Sequence, residues 1–120
     1  MQQSPVFVRV ADLMEWLLPR LGQYPRSQRS LLAAETAAAL FGVHRGLLEA
    51  VKTKDRRALR RADVELERLR MLLRLGETLQ CLSVGQYEHA MRLVVEVGKL
   101  LGAWQQQWGR GTTQTQAVLE

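Results

Sequence analysis

KTKDRRALRRADVELERLRMLLRLG, from Lys52 to Gly76, is the stretch whose reading decides the fold. Leu59, Ala62, Leu66, Leu69 and Leu73 recur at i, i+3, i+7, i+10 and i+14, which draws one apolar stripe along a helix. Leu72 and Leu75 broaden that stripe near its end. The remaining surface carries Lys52, Lys54, Arg56, Arg57, Arg60, Arg61, Arg68, Arg70 and Arg74, nine of the seventeen basic residues of the chain. Only Asp55, Asp63, Glu65 and Glu67 lie among them. A single helix therefore offers an apolar face for packing and a basic surface for a second purpose. Arg56, Arg60 and Arg74 share one side, with Arg57, Arg61 and Arg68 flanking; a solvated face and a binding surface both fit this pattern.

Outward from that helix, the chain reads as more of the same class. Val6, Val10, Leu13, Leu17 and Leu21, with Met14 and Leu18 beside them, predict a first helix over residues 6–22. Pro19 should kink or loosen its last turn, because proline removes a backbone donor. Tyr24-Pro25 calls for extended backbone, and PRSQRS opens a second helix over 26–52, with Ser27 as an alternative cap. The small residues of AAETAAAL, with Gly42 and Gly46 beyond them, let a neighbouring helix come close. Thr53 is a candidate cap for the third helix, 55–81, in which Gly76 marks close packing. Ser83 and Gln86 have capping-box spacing and start a fourth helix over 84–108. Its expected buried stripe is Tyr87, Met91, Val94, Gly98 and Leu101, with Ala90, Val97 and Trp104 beside them, and Glu88, Arg92, Glu96 and Lys99 line the opposite, solvated face. GRGTTQTQAVLE, 109–120, has no apolar period and reads as a loose tail. Four antiparallel helices with short turns make an all-α up-down bundle of one domain.

The inventory of reactive side chains is thin. Cys81 is the single cysteine and reads as an apolar flank residue; His44 and His89 are far apart and match no metal-binding spacing. There is no phosphate-cradling loop and no nucleophile–base pair, so the expectation is no enzyme, no metal and no cofactor. No apolar run approaches the roughly 20 residues that span a bilayer, and the N-terminus lacks signal-peptide features, which points to the cytoplasm and away from a membrane. The formal charge of +5, with a pI of about 10.1, favours a polyanionic partner. Trp16 has core spacing, whereas Trp104 and Trp108, four apart at the end of the fourth helix, are candidates for a subunit or partner contact.

YPRSQRS, ELERLRMLLRLGETLQCLSVGQYEHA and VVEVGKLLGAWQ, in this order and at these separations, resemble the accessory variability determinant of diversity-generating retroelements. A sister group is the four-helix-bundle protein encoded in intervening sequences of bacterial 23S ribosomal RNA genes. The resemblance covers residues from about 6 to 108, and the LLGAW ending, Leu100 to Trp104, favours the retroelement branch. Pro19 departs from what that first helix leads one to expect. The resemblance implies a homopentameric barrel of four-helix bundles that binds the retroelement reverse transcriptase and template RNA or DNA. It implies support of mutagenic cDNA synthesis without catalysis. On this chain it would place Arg26 and Arg29, together with the nine basic residues of Lys52–Arg74, on the binding surface. The alternatives are a ribosomal-RNA-associated bundle of the sister group and a helical protein–protein adaptor.

Overall fold

The computed structural model describes residues 4–119, with side chains described for 4–108. Four helices follow one another: α1 (Pro5–Leu21), α2 (Arg26–Thr53), α3 (Arg56–Thr78) and α4 (Val84–Leu119). No strand occurs among the described residues. Each helix runs antiparallel to the one before it, with α2 against α3, α3 against α4, and α4 and α2 closing around α1. The expected boundaries hold to within a few residues except at the end of α4. That helix is assigned through Leu119, beyond Trp108. Losing the apolar period after Trp108 removes a packing face but not the backbone's ability to stay helical, since no proline follows. The expected loose tail at 109–120 lies outside the residues whose side chains are described.

The core is the set of stripes read from the sequence. Val6, Val10, Leu13, Leu17 and Leu21 of α1 and Leu59, Ala62, Leu66, Leu69 and Leu73 of α3 are all buried. Each fully buried Leu contributes about 2 kcal/mol of transfer free energy, and the two stripes are buried against α2 and α4. In α4 the stripe is rotated from the expected one. Ala90, Val94, Val97 and Leu101 are buried, while Tyr87, Met91 and Gly98 are only partly so. The small Ala90 faces inward because α4 must pass close to α1 and α3 at once. Glu88, Arg92, Glu96 and Lys99 are exposed as expected.

The ends of the helices are closed by local hydrogen bonds. Pro19 leaves α1 intact to Leu21, and the Gly22 amide donates to the Leu18 carbonyl at 3.3 Å. Arg20 donates to the Trp16 carbonyl at 2.8 Å and lies 4.5 Å from the Trp16 ring, which ties the turn around the proline. Pro25, not Ser27, caps α2, without a side-chain bond. A π-helical turn at Arg29–Ala33, absent from the sequence reading, has the Ala34 amide reaching back to Arg29. Thr53 does not cap α3. Its hydroxyl donates to the Glu49 carbonyl at 2.7 Å, and Asp55 accepts from the Arg57 amide at 2.9 Å instead. The reason is position: Thr53 still belongs to α2, and Lys54 turns the chain with a left-handed φ of 59°. α3 ends at Thr78, not at Cys81, because Gln80 (φ 63°) lets the Cys81 amide bond the Gly76 carbonyl at 2.7 Å in a Schellman closure. Ser83 and Gln86 form the expected reciprocal box, at 2.9 and 3.0 Å.

The most apolar 18-residue window of α2, a helix of 28 residues, has a mean hydropathy of 1.2, and 44% of it is buried within the bundle. Leu, Val, Phe and Ala raise that value, and the window is interrupted by charged residues, as in the core helix of a bundle.

Glycines mark the close approaches between elements. A Cβ on Gly46 would lie 2.8 Å from the Ala62 Cβ and 2.9 Å from the Ala58 carbonyl, so α2 and α3 touch nearly backbone to backbone. At Gly42 the same atom would meet only the pliable Glu65 side chain. Gly46→Ala should therefore cost about 1–3 kcal/mol in urea unfolding. Gly42→Ala should lie between neutral and about 1 kcal/mol more stable, from helix propensity. At Gly76 a Cβ would lie 2.7 Å from the Tyr24 hydroxyl, which is buried and has no hydrogen-bond partner. Burial, with Cys81 adding to it, pushes the Tyr24 phenol up to about 12. The unfolded chain then releases that proton first, at about pH 10, so the stability it contributes is complete below pH 10 and is lost towards pH 12. Tyr24→Phe should flatten the fall in melting temperature across that window and be neutral or slightly stabilising at pH 7, because it deletes an unpartnered hydroxyl.

Candidate nucleic-acid interface

The basic residues of α3 divide by what lies beside them. On the side facing α2, Arg61 pairs with Glu49 at 2.8 Å, and Arg68 pairs with Glu35 and, at 3.9 Å, with Glu65. At the start of the helix Arg57 forks onto Asp55, and this bond, before any other influence, holds the Asp55 carboxyl below its ordinary value. Arg70 pairs with Glu67 at 3.5 Å and crosses α4 at Gly98, where a Cβ would sit 2.8 Å from its guanidinium. These are exposed or half-exposed pairs, and solvent screens them, so they add little to stability. They lower the positive potential locally without removing the charges.

Lys52, Lys54, Arg56, Arg60 and Arg74 are exposed and have no ion pair among the described residues. Lys52, Lys54, Arg56 and Arg60 gather at the α2–α3 turn, at one end of the bundle. Arg26 and Arg29 stand at the other end, about 40 Å away along α2 at 1.5 Å per residue. The eleven basic residues singled out from the sequence are thus not one patch. They form a dense group at the α2–α3 turn, a partly neutralised row along α3, and a separate pair at the start of α2 near the level of Arg74.

All three tryptophans pack against the core, Trp16 also against His89 with ring centroids 4.7 Å apart. Trp104 and Trp108 meet edge to face at 5.4 Å and 74°, both half-buried. Trp108 lines a shallow recess with Arg56, Leu59, Arg60 and Gln105, so it shares an end of the bundle with the free cations. Cys81 sits in the α3–α4 turn, partly buried, and desolvation pushes its thiol up, away from the reactive thiolate. His44 packs against Phe7. Among the described residues no three His, Cys, Asp or Glu side chains converge as a metal site would need.

Sequence periodicity missed one surface. Leu31, Phe41 and Leu48 on α2 and Val64, Met71 and Leu75 on α3 are exposed, with Leu31 at 63% and Val64 at 65%. Ala38, Gly42, Arg45 and Val64 line a groove between these two helices. The available signal was the continuous apolar composition of α2, which has more apolar positions than one inward face can use.

A sequence model of the family described as bAvd-like matches residues 6–108. No curated protein sequence matches the chain. The matched span runs from the start of α1 to Trp108 and includes the described core, the α2–α3 close approach and both groups of free cations. By that match the chain belongs to the bAvd-like family.

Proposed function

We propose that this protein is the accessory subunit of a diversity-generating retroelement, acting without catalysis of its own. It holds template RNA or its cDNA and the reverse transcriptase through the basic surface, and so supports mutagenic copying. The observation that carries this reading is the bAvd-like match over residues 6–108, joined to exposed cations with no described carboxylate partner, Lys52, Lys54, Arg56, Arg60 and Arg74 among them. Guanidinium groups free of carboxylates can fork onto phosphate oxygens without first giving up a partner. The small number of nucleophilic or metal-ligating side chains fits a scaffold better than an enzyme.

In this reading the protein works as a homopentamer. The exposed apolar residues of α2 and α3 suit the subunit contact, since a monomer gains nothing from keeping Leu31, Phe41 and Val64 in water. Five copies, each with a formal charge of +5, would concentrate positive potential on one particle and attract a polyanion.

Two measurements test this. Light scattering in moderate salt should give about five times the 13.7 kDa chain mass. A monomer would remove the assembly. Changing Arg56, Arg57, Arg60 and Arg61 together to Glu should abolish binding of template RNA or reverse transcriptase while helicity stays unchanged. Within that set, Arg56→Gln with Arg60→Gln should account for more of the loss than Arg57→Gln with Arg61→Gln, whose charges are already paired. Each phosphate contact removed should lower the salt dependence by about one unit of slope. Unchanged binding in the quadruple variant would refute the surface.

A further inference from the structure

We propose that the Trp108 recess is a stacking site for one base of a single-stranded nucleic acid, with Arg56 and Arg60 holding the adjoining phosphates. This rests on the nucleic-acid-binding reading above and specifies which form of nucleic acid the α2–α3 turn prefers.

α3 starts at Arg56, and the antiparallel α4 brings Trp108 to the same end, so Arg56, Leu59, Arg60, Gln105 and Trp108 line one recess. Arg56 and Arg60 are one helical turn apart, exposed, and not engaged by any described carboxylate. They sit in the first turns of α3, where the positive end of the helix dipole adds to their charge. Lys52 and Lys54 extend the positive surface around the turn. A run of cations alone would bind any polyanion, double- or single-stranded.

The aromatic pair is what discriminates. Trp108 packs partly against the core and meets Trp104 edge to face, a contact that occupies the face of one ring of the pair, while the remaining surface of Trp108 lines the recess. A flat apolar ring bordered by two guanidinium groups has the ingredients of a base-stacking platform beside a phosphate track. Gln105 adds an amide that both donates and accepts, suited to a base edge. A duplex keeps its bases stacked on one another and offers none to Trp108. A single strand offers every base, whatever its identity.

The test compares a labelled oligo(U) strand with an RNA duplex of the same length, by fluorescence anisotropy at two salt concentrations. Trp108→Ala should weaken the single strand roughly 5- to 100-fold and leave duplex affinity and the salt slope unchanged, while Trp108→Phe keeps most of the affinity. In a Trp16→Phe protein, whose remaining emission comes from Trp104 and Trp108, oligo(U) should quench fluorescence. Arg56→Gln with Arg60→Gln should weaken both ligands and flatten the salt slope. Single-strand affinity unchanged in Trp108→Ala, or no quenching, would overturn the stacking site while leaving the basic surface standing if the arginine variant still loses binding. If the arginine variant also binds normally, the basic-surface reading itself fails. A change in solution mass on Trp108→Ala or Trp108→Phe would assign the residue to assembly and overturn the proposal.

Discussion

Helix α2 lies against α3 with no side chain between them at Gly46, where the Ala58 carbonyl and Ala62 fill the space a Cβ would take. The rest of the bundle depends on that contact. It fixes the register of the two central helices, and the register decides which α3 residues face α2 carboxylates. Arg61 comes level with Glu49 and Arg68 with Glu35, while Arg60 borders the α2–α3 groove without an ion pair and Arg56 and Arg74 meet no described carboxylate. The division of α3 into a paired and an unpaired row of arginines is therefore a consequence of packing, not of charge count.

The same contact explains where apolar surface remains. Because small residues let α2 approach α3 so closely, the larger apolar side chains on the flanks, Phe41, Leu48 and Val64 among them, find no room in the seam and point outward. Exposure of this kind is costly for an isolated chain and useful for a chain that associates. Close packing inside the bundle and an apolar outer surface are two results of one run of alanine and glycine.

The two ends of the bundle differ in character. The end holding Tyr24, Gly76 and Cys81 is closed by a buried phenol, a Schellman turn and a capping box, and it is a structural cap. The other holds Lys52, Lys54, Arg56 and Arg60 and the Trp104–Trp108 pair. α3 begins at that end with Asp55 as its cap. Asp55 and Arg57 neutralise each other, so the local charge comes from Lys52, Lys54, Arg56 and Arg60.

Periodicity alone determined the four helices, their antiparallel order and most of the core, because a 3.6-residue repeat is a local property and buried Leu and Val leave it visible. The capping box and the packing role of Gly76 were legible for the same reason, since both rest on residues a few positions apart. The tertiary structure decided what depends on residues far apart in sequence: which arginines meet a carboxylate, that Arg26 and Arg29 stand a helix length from Arg56, and that Trp108 shares a recess with Arg56 and Arg60. It also rotated the α4 stripe towards Ala90, and it passed the capping of α3 from Thr53 to Asp55. A sequence records which side chains a helix carries on each face. Only packing brings one face against another, and charge neutralisation, burial of small residues and the composition of a recess are all properties of two faces together.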